Sequence, residues 1–259
     1  MTMNRRLARV VLILLVVALA GCASSSERQA DREKRHERSQ THVLLGASYL
    51  QRGQLDVAEQ ELNKALSEEP DNSQANNIMA VLQWRLKDYD KAERLFRKSL
   101  DEDPKNSSAH HNYGAFLCEQ GRLDEGMRNF EKATKDPLYP YTADVYLNMG
   151  VCVMKKPAPV AAEKYFREAL SVNPKLPAAL YQMAKLSYDS GRTLSARGFM
   201  QRYYEVAGDT PAGLLLAVKI EHALGNKNAE ASYALLLRNK FPDSPEAGEL
   251  KAVTSRRNK

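Results

Sequence analysis

Cysteine, tryptophan and long apolar runs are all scarce in this chain of 259 residues: three Cys, one Trp, and 7% aromatic residues in total. Cys22, Cys118 and Cys152 stand too far apart for a zinc ribbon or a disulfide-stapled miniature domain. There is no Cys-x-x-Cys, His-x-Glu or His-Glu-x-x-His, no glycine-rich phosphate loop, and no serine–histidine or paired-carboxylate arrangement. Cys118 follows His110 and His111, but beside Phe116 and Leu117 it reads as a buried thiol rather than a nucleophile or ligand. Charge of one sign is also scarce. The net charge of +6 includes Arg5, Arg6 and Arg9, which lie in a segment predicted to be removed, and +3 remains without them. With no basic run interleaved with aromatics, nucleic acid is excluded as a partner. The composition therefore predicts no enzyme, no metal or cofactor, and no small-molecule substrate.

What is present begins at the N-terminus. A basic start leads into eleven apolar residues, Val10 to Ala20, and then Leu19-Ala20-Gly21-Cys22 closes the run. Crossing a bilayer takes about 20 apolar residues in helix, so this run fits the short core of an export signal. Its end resembles the lipobox of bacterial lipoproteins. That resemblance implies cleavage after residue 21 and acylation of Cys22, the palmitate-type lipid being the one covalent group expected. Several acyl chains, at about 0.8 kcal/mol per buried methylene, make a durable anchor where one does not. Ala23 and Ser24 in place of Asp resemble lipoproteins sorted to the outer membrane, facing the periplasm. The following stretch, Glu27 to Gln40, carries five basic and four acidic residues and almost nothing apolar. It reads as a charged tether or helical extension over residues 22–38, and its mixed signs argue against a lipid-headgroup site.

From Ser39 the chain repeats every 34 residues, the length of a tetratricopeptide helix-turn-helix unit. Gly46, Tyr49, Ala58, Ala65 and Pro70 fall at the pattern's positions eight, eleven, twenty, twenty-seven and thirty-two. Six units are predicted, at 39–72, 73–106, 107–142, 143–176, 177–210 and 211–244, with a C-terminal cap and tail over 245–259 that ends through Arg256, Arg257 and Lys259. The third is two residues longer, through Asp136-Pro137-Leu138-Tyr139-Pro140, and the last two are degenerate. Small residues at positions eight and twenty let paired helices approach; Pro at position thirty-two ends the second helix; and Gly53, Gly121, Gly191 and Gly225, all at position fifteen, supply a left-handed turn. The fold class is an all-α tetratricopeptide repeat superhelix, each unit burying its apolar face against its neighbours.

In tetratricopeptide proteins positions two, five, nine, twelve and thirteen of the first helix line a groove. The resemblance implies a partner-binding groove of Val43, Ala47, Leu50, Asn77, Val81, Trp84, His111, Ala115, Leu147, Val151 and Met154, largely apolar through repeats one to four. Val43, Ala47, Val81 and Ala115 stand where a carboxylate clamp needs charge, so a helix or extended segment with apolar anchors is the expected occupant. Trp84 is the expected hot spot. Some of these side chains are alternatively core. Cys118 and Cys152 fall on first helices of adjacent repeats. Neighbouring helices lie 8 to 10 Å apart and a disulfide needs Cα atoms within about 7 Å, so two free buried thiols are expected.

A lipobox followed by six such units resembles the PilF/PilW-type lipoproteins of type IV pilus biogenesis. The stretch from Tyr113 through Cys118-Glu119-Gln120-Gly121-Arg122 and the insertion Leu138-Tyr139-Pro140 carry that resemblance. It implies a pilotin: an outer-membrane lipoprotein that binds the pilus secretin subunit and promotes its localisation and multimerisation, and so pilus assembly and twitching motility. The alternatives are a lipoprotein scaffold for outer-membrane protein assembly or peptidoglycan-enzyme recruitment, and a periplasmic enzyme with an unrecognised site.

Overall fold

The computed structural model describes residues 5–156 and 159–250, with side chains from residue 28 onward. The side chain of Cys22 and the tail from residue 251, with Arg256, Arg257 and Lys259, lie outside the described residues.

The chain is all-α. Helices pair in order as α1 (Arg5–Gln51) with α2 (Leu55–Glu68), α3 (Ser73–Arg85) with α4 (Tyr89–Glu102), α5 (Ser107–Glu119) with α6 (Leu123–Ala133), α7 (Thr142–Val153) with α8 (Pro159–Val172), α9 (Pro177–Asp189) with α10 (Thr193–Ala207), and α11 (Pro211–Ala223) with α12 (Lys227–Lys240). They form two compact units, residues up to Asn112 and residues from Tyr113.

The local chemistry of each pair follows from its sequence. Gly53, Gly121, Gly191 and Gly225 adopt φ of +74°, +79°, +74° and +72°, the left-handed conformation that closes the turn between paired helices. The second repeat places Lys87 at the same point with φ +64°, a conformation that costs an L side chain roughly 1–2 kcal/mol. At position eight the need is space. A Cβ on Gly114 would come within 2.7 Å of the Phe130 ring, and one on Gly150 would overlap the ring of Phe166. Phe96, Phe130 and Phe166, at position twenty-four, are fully buried and each contributes about 1.5–3 kcal/mol of burial.

In the first unit, polar side chains tie one repeat to the next at the helix starts. Asn72 caps α3 by accepting from the Ala75 N–H at 2.9 Å, and its amide donates to Ser39 Oγ at 3.1 Å. Ser39 Oγ in turn donates to the carbonyl of Ala65. One repeat on, Asn106 accepts from Ala109 and donates to Ser73 Oγ at 2.8 Å, and Ser73 reaches the carbonyl of Ser99. These bonds satisfy helix-end groups that would otherwise be left bare.

In the second unit the adjacent repeats are joined covalently. Cys118 on α5 and Cys152 on α7 form a disulfide with Cα atoms 5.6 Å apart, which corrects the expectation of two free thiols. The 8–10 Å separation is measured between helix axes. Cα atoms stand about 2.3 Å out from each axis, so two that face each other fall within disulfide range. Gly126 belongs to the same arrangement, since a Cβ there would run into Cys118 Sγ and come within 2.8 Å of the Gly114 carbonyl.

Residues 245–250 are helical, and Ala247 and Leu250 are buried against Leu214, Leu215, Val218 and Leu237. They cover the apolar side of the sixth repeat, as a neighbouring repeat would.

Candidate partner-binding surface

Four of the residues expected to line a groove are sealed. Val43 is fully buried against Ala65 and Ala75, and Leu50 packs with Ala58, Leu62, Met79 and Leu82. Asn77 is buried, donates to Ser108 Oγ at 3.2 Å and accepts from the Asn112 amide at 3.1 Å, bridging α3 and α5. His111 is 9% exposed, and burial pushes its imidazole down to about 4, so the ring is neutral near pH 7. Val43, Leu50 and Asn77 hold adjacent repeats together, and all four are buried away from a partner. Positions five and twelve point toward the preceding or following helix as much as outward, a distinction that spacing alone does not make.

What remains open in the first unit is Ala47 on α1 with Val81 and Trp84 on α3, all half-buried. Val81 and Trp84 are one turn apart and share a face. The structure adds Leu44 and Leu45 on α1, 65% and 39% exposed. They fall at positions six and seven of the repeat, outside the register positions that define the groove.

In the second unit, Leu147 and Val151 on α7 and Met154 at its C-cap stand at i, i+4 and i+7 and so form one stripe, with Leu147 half-buried and the other two exposed. Ala115, half-buried, contributes from α5. The stripe is held from behind by the Cys118–Cys152 bond and from its C-terminal end by Lys155, whose ammonium donates to the carbonyl of Cys118 at 2.7 Å. Repeats five and six carry charge at the equivalent place. Lys185 pairs with Asp189 at 2.7 Å, and Lys219 pairs with Glu249 of the C-terminal helical stretch at 2.8 Å.

Cys118 is oxidised, and His110 Nε2 lies 3.1 Å from the carbonyl of Pro104. Among the described residues, no group of three or more His, Cys, Asp or Glu side chains could hold a metal ion, and no helix is long and apolar enough to cross a membrane.

Comparison with known proteins bears on both fold and role. Tetratricopeptide repeat families match residues 43–107 and 83–136. A Pseudomonas aeruginosa protein, type IV pilus assembly protein PilF, is 31% identical over 244 residues, spanning 93% of this chain and 97% of that protein. The chain belongs to the PilF family of type IV pilus assembly proteins. The solved structure of Pseudomonas aeruginosa PilF matches with a TM-score of 0.76 at 31% identity, covering 85% of this chain and 99% of that one. PilW, described as a widely conserved type IV pilus biogenesis factor, matches with a TM-score of 0.75 at 32% identity, over 83% of this chain and 98% of that one. This PilF-family chain is thus a tetratricopeptide protein of type IV pilus biogenesis, and its fold is one built for protein–protein contact.

Proposed function

We propose that the chain is a pilotin: a lipoprotein anchored in the outer membrane through acylated Cys22, which binds the secretin subunit of the type IV pilus and brings it to the site where it multimerises. Kinship with PilF over nearly the whole length carries the reading. The lipobox-like Leu19-Ala20-Gly21-Cys22 supports the anchor. The apolar surfaces support cargo binding, and their open residues narrow the expected contact set to Ala47, Val81 and Trp84 in the first unit and Ala115, Leu147, Val151 and Met154 in the second. Both sets are apolar, which suits a segment of the secretin presenting apolar side chains.

Two experiments test the two halves. Changing Cys22 to Ser leaves a chain that still binds secretin but no longer places it in the outer membrane; normal secretin assembly in that strain would rule out escort. Val81→Glu, Leu147→Glu and Trp84→Ala, each made separately, weaken capture of secretin in a pull-down while circular dichroism stays helical. Truncating a central Trp anchor is worth upward of about 2 kcal/mol, or roughly thirtyfold in affinity. Undiminished capture by all three would remove these surfaces from the account, and crosslinking mass spectrometry that finds another envelope protein instead would replace the cargo.

A further inference from the structure

Residues 28–38 looked unsuited to a membrane surface because their charges alternate in sign, but the helix sorts them. α1 runs without a break from before residue 22 into the first repeat. At 3.6 residues per turn, Arg28, Arg32 and Arg35 fall within an arc of about 60°, and Glu33 and Glu37 fall well away from it. Asp31 lies about 40° to one side of this arc and Arg38 about 60°, while Lys34 stands as far round as Glu33; all six line an open depression of about 430 Å³, in which Arg38 is held by Glu68. Every side chain from residue 28 to 38 is exposed.

The base of this segment is fixed. Arg38 makes a two-pronged contact with Glu68 at 2.8 and 2.9 Å, and His36 lies 3.1 Å from Glu69, so the end of α2 braces α1. Arg32 and Lys34, further out, have no ion-pair partner among the described residues. From Arg28 to Arg35 the row spans about 10 Å, and Cys22 lies about 9 Å before its start.

We propose that this basic face of α1 binds the anionic headgroups of the membrane to which the protein is anchored, laying the helix along the surface and fixing how the repeats are presented. Proximity to a membrane rests on the acylation of Cys22 proposed above. Apart from Ala30 the segment has no apolar residue to insert, so it acts at headgroup depth and by charge. Each basic side chain held near an anionic surface strengthens binding severalfold, and salt weakens it. A row of separated charges beside an acyl chain matches a lipid surface rather than a single free phosphate.

The test uses the purified full chain carrying Cys22→Ser, floated with vesicles of phosphatidylcholine alone or of phosphatidylcholine with roughly one third phosphatidylglycerol. The readout is the ratio of the two affinities in a background with Arg5→Gln, Arg6→Gln and Arg9→Gln, in which apolar binding by residues 10–20 cancels and the basic signal start contributes nothing. The ratio is expected to be about tenfold or more, to fall below about twofold when Arg28→Gln, Arg32→Gln and Arg35→Gln are combined, and to collapse in high salt. The combined variant keeps its helical circular dichroism and urea midpoint, since all three side chains are exposed. A ratio near one, or one unchanged by the three substitutions, overturns the inference while leaving the anchor untouched. Absence of acyl groups from the native N-terminal peptide by mass spectrometry would overturn the anchor and leave the ratio standing.

Discussion

The guanidinium of Arg85 donates to the main-chain carbonyl of Leu50, 35 residues earlier, at 2.7 Å. Lys155 does the same for Cys118, 37 residues earlier and also at 2.7 Å. Both cations occupy position thirteen of their repeats, and both carbonyls occupy position twelve of the repeat before. In each case a cation from one helix caps the carbonyl end of its predecessor, where the helix dipole is negative.

Arg85→Met keeps the aliphatic stem and removes the donor. A hydrogen bond to a charged group contributes about 1.5–3 kcal/mol, and solvent at this partly exposed end reduces that toward about 1 kcal/mol. A lower urea midpoint with an unchanged slope is the expected result; an unchanged midpoint would show that water satisfies the Leu50 carbonyl equally well.

Lys87 holds the left-handed turn that glycine holds at Gly53, Gly121, Gly191 and Gly225. Lys87→Gly should therefore stabilise the protein by up to about 1 kcal/mol, because relief of the strained φ outweighs the entropy that glycine adds to the unfolded chain. Chemical denaturation measures this, and destabilisation would mean that the lysine side chain contributes more than its backbone costs.

The Cys118–Cys152 bond closes a loop of 34 residues, for which chain entropy gives about 3–4 kcal/mol of stabilisation. Reductant should lower the denaturation midpoint of the native protein and leave that of a Cys118→Ser, Cys152→Ser variant unmoved. Equal sensitivity of the two proteins would mean that the bond does not form in solution.

His111 titrates near 6.5 in an unfolded chain and is pushed down to about 4 by burial in the folded one. Between those values the unfolded state binds more protons, so stability rises with pH across the window and is lost as pH falls from about 6.5 toward 4. The slope approaches at most about 1.4 kcal/mol per pH unit. His111→Leu should flatten it in denaturation curves taken between pH 6.5 and about 5.5, above the range in which the paired carboxylates begin to titrate in the unfolded chain. A variant with the same slope as the native protein would place the titration elsewhere.

Much of the fold was legible because a repeat states its rules several times. Pro70, Pro104 and Pro174 mark the ends of second helices, four glycines mark the inner turns, and Gly46, Gly114 and Gly150 mark where helices touch. The candidate surface was less legible. Val43, Leu50, Asn77 and His111 occupy groove positions by register yet are buried, because helix periodicity fixes which way a side chain leaves its own helix and says nothing of how closely the next helix approaches. Leu44 and Leu45 escaped for the complementary reason: they are exposed by the absence of a neighbour, which no residue in the sequence announces.

By itself, then, the sequence determined the helix pairs, their turns and the lipobox-like N-terminus, since each depends on residues close together in the chain. Only the tertiary structure decided that Cys118 and Cys152 are joined, that Arg85 and Lys155 cap the helices before them, and that the last described residues pack back on the final repeat. Those outcomes turn on distances of a few ångströms between segments some 35 residues apart, set by how bulky side chains such as Phe130 and Phe166 seat against glycine, and no local pattern carries that information.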